Sequence, residues 1–273
     1  MEEITEQFQK LNTGKSVVLG DGEDFEAETS SSLSLEEVEK IIEYSFKNKR
    51  LLEEAYTDHS YKKGVEGSYE RLEYLGDSIL NCVMATQQFD LYPDLPPGEL
   101  TQLRSANVCT EKLARAAAQH GLYRFLRHNK PMLDAQIEEF VKTEPNYPPS
   151  SVGLIDAPKT LANIVESTIG AVYLDSDKCN KTTSKVIEKL LQPIITPSTL
   201  ARHPVTLLYE ICQKNGFSVE VIDSWNKTGQ VEIIVANQFV GRGQYNAKKI
   251  IAYNRAAADA YNEIVMKLNV NDG

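Results

Sequence analysis

The sequence predicts a multidomain protein in which an all-α domain precedes a small α+β domain with the order α–β–β–β–α. Two observations lead to this prediction. Apolar residues recur at helical spacing along residues 34–195. After a proline-punctuated stretch, two helical patterns in residues 204–269 enclose three short alternating ones. The predicted organisation is a disordered acidic tail at 1–33, the helical domain at 34–195, a linker at 196–203 and the α+β domain at 204–269.

Length and composition narrow the class of protein. The chain is 41% apolar, which is enough for a real core. Its 273 residues suffice for one large domain or two ordinary ones. The four cysteines lie far apart without a CxxC pair, which argues against a zinc knuckle and a disulfide scaffold and fits a reducing compartment. No run of eighteen apolar residues exists and the N-terminus is acidic, so we expect no membrane span and no targeting peptide. The expected location is the nucleus, the cytoplasm or both.

The charge distribution is uneven. The net charge of −10 argues, taken alone, against a polyanionic partner. Residues 200–273, however, carry eight Lys or Arg against seven Asp or Glu, a net charge of +1. Residues 1–33 hold eight acids and two lysines, so part of the acidic excess lies in the tail. The C-terminal part is therefore the end of the chain that is better suited to an anionic ligand.

The helical domain is predicted to begin at Ser34, because Glu37 three residues later completes a capping-box pattern. An apolar stripe at helical spacing then follows, consisting of Val38, Ile41, Ile42 and Phe46. Further helices are predicted in "KRLLEEAYTD", "RLEYLGDSILNCVMATQQF", "GELTQLRSANVCTEKLARAAAQHGL", "TLANIVESTIGAVYLD" and "TSKVIEKLLQPII". Gly121 is expected to stop one of them, and the proline-rich residues 141–158 are expected to form a loop.

The α+β domain is predicted from a change in pattern after the linker. "VTLLYEICQKNG" has the pattern of a short helix that ends at Gly216. "FSVEVID", "QVEIIVAN" and "FVGRGQY" are strand-like, and "WNKTG" is predicted to form a turn between the first two. The Ala-rich "NAKKIIAYNRAAADAYNEIVMKL" is predicted to form the final long helix.

Three carboxylates stand close together in "YERLEYLGDS". Glu70, Glu73 and Asp77 share one face of a helix because offsets of three, four and seven residues coincide there. The predicted apolar stripe on the same helix consists of Leu72, Leu75, Ile79 and Val83. Like charges at this spacing destabilise an isolated helix only slightly, so a solvated acidic face is the alternative to a binding site.

A second helix makes the binding-site interpretation stronger. Glu166 lies within the apolar run "LANIVESTIGAVYLD", and Asn163 precedes it by one turn. A carboxylate in such surroundings needs a partner or a cation. If the two helices meet, Glu73, Asp77, Glu166 and the Asn163 side-chain oxygen form an oxygen-only site that suits Mg²⁺ or Mn²⁺. Such ions support phosphodiester hydrolysis.

"YERLEYLGDS" resembles the signature of the ribonuclease III family, nucleases specific for double-stranded RNA. "LLEEAYTDHSY" is similar to the family's preceding helix, and "LTQLRSANVCTEKLARAAAQHGLYRFL" to its following helix pair. "APKTLANIVESTIGAVYLDS" resembles its second acidic block. Together these segments cover roughly residues 35–195, which the resemblance identifies as a ribonuclease III domain.

The resemblance implies roles for the acidic residues. Glu73 corresponds to a metal ligand, while Asp77 and Glu166 correspond to residues that are both metal ligands and catalytic. Glu70 corresponds to an acidic position linked to cleavage and to the subunit interface. Asn163 departs from the family, which usually has Asp there, so the site has one negative charge less and a metal would bind more weakly.

The C-terminal domain resembles a double-stranded RNA-binding domain. "VTLLYEICQKNG" is similar to its first helix, and "NAKKIIAYNRAAADAY" to the start of its last helix. The resemblance implies that Lys248 and Lys249 contact RNA phosphates. The loop "DSWNKTG" lacks the family's His-containing pattern, so a degenerate domain that contacts protein is the alternative.

The resemblance implies an endoribonuclease that works as a homodimer. Each subunit would cut one strand of duplex RNA with Mg²⁺ or Mn²⁺, leaving 5′-phosphates and a short 3′ overhang. Tyr74 corresponds to an aromatic residue that fills a cavity of the partner, and a place in the chain's own core is the alternative. The combination of domains resembles small plant ribonuclease-three-like proteins more than Dicer. Two other hypotheses stay open: a dimerising RNA-binding protein whose nuclease site Asn163 weakens, and a purely structural role.

Overall fold

The computed structural model describes residues 34–61 and 67–271, with side chains up to residue 268. The predicted acidic tail, residues 1–33, lies outside the described residues. The helices of the N-terminal part are α1 Leu35–Ile42, α2 Lys49–Ala55, α3 Glu70–Leu91, α4 Pro97–Val108, α5 Thr110–Gln119, α6 Leu133–Thr143, α7 Lys159–Asp175 and α8 Asn180–Leu191. Short 3-10 turns follow α5 and α6. This part of the chain is mostly helical, as the sequence predicted.

The first helix begins where the sequence predicts and ends earlier. The Ser34 hydroxyl accepts a hydrogen bond from the Glu36 amide at 3.2 Å and so caps α1. The helix stops at Ile42 because Glu43 adopts a left-handed backbone with a φ of 56°. Phe46 is buried in the same core, but it lies beyond the helix, so the prediction that it continues the helical stripe was wrong.

The buried face of α3 is rotated relative to the predicted stripe. Leu72 and Val83 are buried as predicted, whereas Leu75 and Ile79 are only half-buried. The remaining fully packed positions on this helix are Gly76, Leu80, Met84 and Gln88. The prediction failed because glycine carries no apolar side chain, so no hydrophobic pattern indicates that Gly76 faces the core.

Two further helical predictions need correction. The segment expected to form one helix before Gly121 is broken at Cys109, whose extended backbone separates α4 from α5. The helix α6, Leu133–Thr143, was not predicted, and it includes the beginning of the expected loop at 141–158. From residue 147 to Pro158 the chain is irregular, as the prolines indicated.

The C-terminal part has the predicted order of elements. It consists of α9 Pro204–Asn215, β1 Val219–Asp223, a helical turn α10 Trp225–Thr228, β2 Gln230–Val235, β3 Phe239–Gln244 and α11 Lys249–Asn271. The strands form an antiparallel sheet in the order β1–β2–β3, with Val221 opposite Ile233 and Ile233 opposite Gly241. The alternating residues Val231, Ile233 and Val235 are buried against the helices.

The described residues form two separate hydrophobic cores. One lies within the N-terminal helices and surrounds α7, whose residues are buried on almost every side. The other joins the sheet to α9 and to the alanines of α11. Across residues 34–61 and 67–271, no helix combines the length and the apolar content that crossing a membrane requires. The exact domain boundaries stay a prediction.

Candidate active site

Two glycines allow α3 and α7 to touch. A Cβ atom at Gly76 would lie 1.7 Å from the Glu166 carbonyl oxygen, and one at Gly170 would lie 2.3 Å from the Leu72 carbonyl oxygen. Neither approach is sterically possible for a residue with a side chain, so the two backbones come together only because both positions are glycine. The contact sets Glu166 beside the turn of α3 that carries Glu73 and Asp77.

The three carboxylates influence one another. Burial raises the pKa of Glu166 to about 7, and the negative charges of Asp77 and Glu73 add to this effect. Burial also raises the pKa of Glu73, although Lys159, with its Nζ 3.8 Å from Glu73 Oε1, opposes the shift. The structure therefore concentrates negative charge where two carboxylates are already half-buried, an arrangement that a cation would stabilise.

Asn163 supplies a further oxygen on α7, the helix that carries Glu166. Its side chain is only 8% exposed, and it lies one turn before Glu166. Its Oδ1 atom is buried and accepts no hydrogen bond from the described residues. A buried acceptor in this state calls for a donor, a water molecule or a cation. The observation gives Asn163 a reason to belong to a cation site despite its lack of charge.

A hydrogen-bond relay orients Asp77. The Asn81 side-chain amide donates to Asp77 Oδ1 at 2.8 Å, and the Asn81 Oδ1 atom accepts from Arg104 of α4. A guanidinium can only donate, so Arg104 fixes which end of the Asn81 amide faces Asp77. Sequence reasoning missed both residues, because nothing in the spacing of Asn81 and Arg104 indicates that their helices meet.

The Glu70 carboxylate contacts residues outside the cluster of Glu73, Asp77 and Glu166. Its carboxylate is 2.8 Å from His59 Nδ1 and accepts a hydrogen bond from the Ser68 hydroxyl. Its negative charge adds to the raised pKa of Glu73. The contact of His59 with Glu70 is a feature that only the structure reveals. Glu70 therefore adjoins the cluster of Glu73, Asp77 and Glu166 and has partners of its own.

The donors fit a hard cation by their chemistry. Glu73, Asp77, Asn163 and Glu166 offer oxygen atoms only, which is what Mg²⁺ and Mn²⁺ prefer. The unpartnered Asn163 oxygen and the unfavourable burial of Glu166 are two independent signs that a positive charge belongs here. Within the described ranges 34–61 and 67–271, no three His, Cys, Asp or Glu side chains are already arranged to hold a metal ion.

The two predicted RNA-binding lysines both have acidic partners. Lys248 Nζ lies 2.6 Å from Asp156 Oδ1, and Lys249 pairs with Asp223. Lys249 is the first residue of α11, so both ammonium groups lie at the start of that helix. Each predicted phosphate contact therefore requires the ion pair of its own lysine to open.

Tyr74 projects from α3 into solvent. Its side chain is 79% exposed, so the alternative that places it in the chain's own core was wrong. The exposed residues Ser78 and Cys82 follow it at intervals of one helical turn. These three residues form an exposed strip along α3 that a partner molecule could contact. The role of Tyr74 in a dimer stays a prediction.

Comparison with known proteins identifies the family of the segment that carries these residues. The Ribonuclease III domain family matches residues 70–177, which include α3 and α7. Ribonuclease 3-like protein 3 from Oryza sativa subsp. japonica is 47% identical over 232 residues, covering 83% of this chain and 77% of that protein. Ribonuclease 3-like protein 2 from the same plant is 41% identical over 232 residues, covering 82% and 72%. Endoribonuclease Dicer homolog 1 from Arabidopsis thaliana is 40% identical over 230 residues, which are 82% of this chain but 12% of that protein.

Proposed function

Because the chain belongs to the ribonuclease III family and is a ribonuclease III-type endoribonuclease, we propose that it cleaves double-stranded RNA with a divalent cation. The products would carry 5′-phosphates and short 3′ overhangs. The observation that carries the proposal is the contact of α3 with α7 at Gly76 and Gly170. It joins the two acidic segments, which are about ninety residues apart in the chain.

Glu73, Asp77, Asn163 and Glu166 would hold Mg²⁺ or Mn²⁺. When bound, such a cation supplies an activated water and neutralises charge on the leaving oxygen. The protein's own contribution is to fix the carboxylates: the Asn81 amide orients Asp77, and the glycine contact positions Glu166. In the cation-free protein a pKa of about 7 leaves Glu166 in both protonation states near neutral pH, so a cation would compete with a proton for this carboxylate.

The C-terminal part would bind the RNA duplex. The order α–β–β–β–α and the lysines at the start of α11 support a double-stranded RNA-binding domain. Its proposed contacts are Lys248 and Lys249, which would meet phosphates across a groove. Their present partners, Asp156 and Asp223, have to be replaced by phosphate for this to happen.

A second copy of the chain would complete the active unit. The exposed strip of Tyr74, Ser78 and Cys82 lies on α3, the helix that also carries Glu73 and Asp77. A homodimer formed through this strip would set the two acidic clusters near a common interface, so that each copy could cut one strand. Tyr74 is the residue that contributes the largest exposed apolar side chain to the strip.

The proposal is tested by cleavage of a long duplex RNA in Mg²⁺. Asp77→Ala and Glu166→Ala should each abolish cutting and leave RNA binding intact, because the carboxylates act on the scissile phosphate rather than on affinity. Glu188→Ala, an exposed carboxylate substitution on α8, is the matched control and should cut normally. Undiminished cutting by both active-site variants would contradict the proposed site.

Asn163 favours a second candidate function, that of a dimerising protein that binds duplex RNA and cuts it weakly or not at all. Its oxygen is neutral, so the cluster holds one charge less than four carboxylates would provide. The distinguishing variant is Asn163→Asp. If the natural chain binds duplex RNA without cutting it and only Asn163→Asp cuts, the chain is a binder; if the natural chain cuts, the first proposal holds.

A further inference from the structure

An irregular segment of the N-terminal part contacts the C-terminal part; we name residues 147–156 the docking loop. The Gly153 carbonyl accepts a hydrogen bond from the Asn254 side-chain amide at 2.9 Å. The Leu154 carbonyl accepts one from Arg255 Nε at 2.9 Å. Both donors belong to α11, so the loop is attached to the helix that begins with the proposed RNA-binding lysine Lys249.

The contact is shaped for these partners. Asn254 is only 3% exposed, and its bond to the Gly153 carbonyl is partly buried. The Arg255 guanidinium lies over the rings of Tyr147 and Tyr245, 5.5 Å and 5.0 Å from their centroids. Gly153 has a φ of 86°, and a Cβ there would lie 2.6 Å from the Asn254 amide nitrogen. The close approach of the loop therefore requires glycine.

Asp156 binds the C-terminal part as a phosphate would. One of its oxygens accepts from Lys248 Nζ at 2.6 Å, and the other accepts from the Tyr245 hydroxyl at 3.3 Å. An ammonium and a phenol hydroxyl that converge on a two-oxygen anion would also suit two oxygens of an RNA phosphate. The same Lys248 cannot serve Asp156 and a phosphate equally well.

We propose that Asp156 is an intramolecular competitor of duplex RNA, occupying a phosphate site formed by Lys248 and Tyr245 until RNA displaces it. The inference rests on the proposed binding of duplex RNA by the C-terminal part. Tyr245 becomes an additional RNA contact that the sequence did not indicate. Asp156 and Lys248 also line a cleft of about 1700 Å³ whose wall includes Lys159, the lysine beside Glu73.

The pair is suited to exchange. The Lys248 side chain is 57% exposed and that of Asp156 is 19% exposed, so water already reaches the lysine end. Ion pairs with an exposed member are weak, whereas an RNA duplex offers many phosphates and releases counterions when they are neutralised. RNA can thus open a contact that is closed in its absence.

The affinity test uses the full chain, EDTA to prevent cutting, and an RNA duplex of about twenty base pairs, long enough for one such domain. Asp156→Asn should bind this duplex about threefold more tightly, since the competitor loses its charge. Asp177→Asn, which removes an equal charge from an exposed pair with Lys47, is the matched control and should leave affinity unchanged. In a Lys248→Ala background the gain from Asp156→Asn should disappear.

A second measurement examines the RNA-free chain. Small-angle X-ray scattering should show a larger radius of gyration for Asp156→Asn combined with Arg255→Ala than for the unsubstituted chain. The two substitutions release the docking loop, so the N-terminal and C-terminal parts can move apart. Unchanged affinity of Asp156→Asn for RNA, or a gain that persists without Lys248, would overturn the competition. If neither the unsubstituted chain nor any variant binds the duplex, the competition and RNA binding by the C-terminal part both fail, while the cleavage assay still judges the nuclease proposal.

Discussion

The oxygens near the active site differ in how much their surroundings tolerate charge. Glu166 is half-buried with Asp77 and Glu73 nearby, and its pKa rises to about 7. Asn163 is more deeply buried and neutral, and its oxygen has no donor among the described residues. A protein without a cation is therefore destabilised at this site, a common cost of placing chemistry inside a fold.

Removing the charge of Glu166 should stabilise the metal-free protein. The folded pKa of about 7 lies above the ordinary value of 4.5, so stability falls as the pH rises between these values and stays low above 7. In EDTA at pH 8, Glu166→Gln should raise the free energy of unfolding by about 1 kcal/mol, a figure reduced for partial exposure. At pH 4.5 the gain should be nearly absent. Urea denaturation measures both, and an equal gain at the two pH values would contradict the assignment.

Asn81 should act on cation binding through Asp77. Asn81→Ala removes the amide that donates to Asp77 Oδ1, and supporting contacts of this kind typically change metal affinity 10-fold or more. We expect the Mg²⁺ concentration for half-maximal cleavage to rise about tenfold, with binding of duplex RNA in EDTA unchanged. Gln87→Ala, on the same helix but bonded to Glu188, serves as the control. An unaltered Mg²⁺ dependence would exclude a positioning role for Asn81.

At the level of elements, the α3–α7 pair decides both the fold and the site. The two helices meet through Gly76 and Gly170, and the residues that pack around them, including Leu72, Leu80 and Ile169, belong to the larger core. The acidic face was predictable, because the positions of Glu73 and Asp77 follow from helical periodicity. The rotation of the buried face was not, because a glycine is neutral in any hydrophobic pattern.

Gly76→Ala should therefore damage the protein severely. Its Cβ would overlap the Glu166 carbonyl, which is backbone and cannot move aside, so we expect a loss of at least about 3 kcal/mol in the free energy of unfolding. Gly98→Ala is the matched control, because nothing lies within 4 Å of its added Cβ, and it should be neutral or slightly stabilising. Comparable urea midpoints for the two variants would show that the helices do not meet as described.

At the level of the whole molecule, two hydrophobic cores are connected by the linker and by contacts of the docking loop. The docking loop contributes Gly153 and Leu154 carbonyls to α11, and Asp156 meets Lys248. On α3, the strip around Tyr74 remains exposed. We propose separate roles for the two surfaces. The docking loop competes with RNA within one chain, and the strip around Tyr74 associates two chains.

Charge on the exposed strip should disrupt the proposed homodimer. Tyr74→Asp replaces an aromatic side chain that is 79% exposed, so the fold should persist. Association of the two chains should weaken by at least tenfold. Sedimentation velocity at micromolar concentration should then report a monomer. Met132→Asp, which alters a 69% exposed apolar residue elsewhere, should leave the dimer intact. A monomeric unsubstituted chain would contradict the dimer proposal directly.

The sequence by itself determined the helical and α+β character of the two parts, the acidic face of α3 and the unusual position of Glu166, because these follow from local periodicity and the cost of burying charge. The tertiary structure alone decided that Gly76 meets the Glu166 carbonyl, that Arg104 orients Asn81, and that Asp156 holds Lys248. Each of these contacts joins residues more than twenty positions apart. Such pairings depend on how whole helices pack, and no local pattern in the chain encodes them.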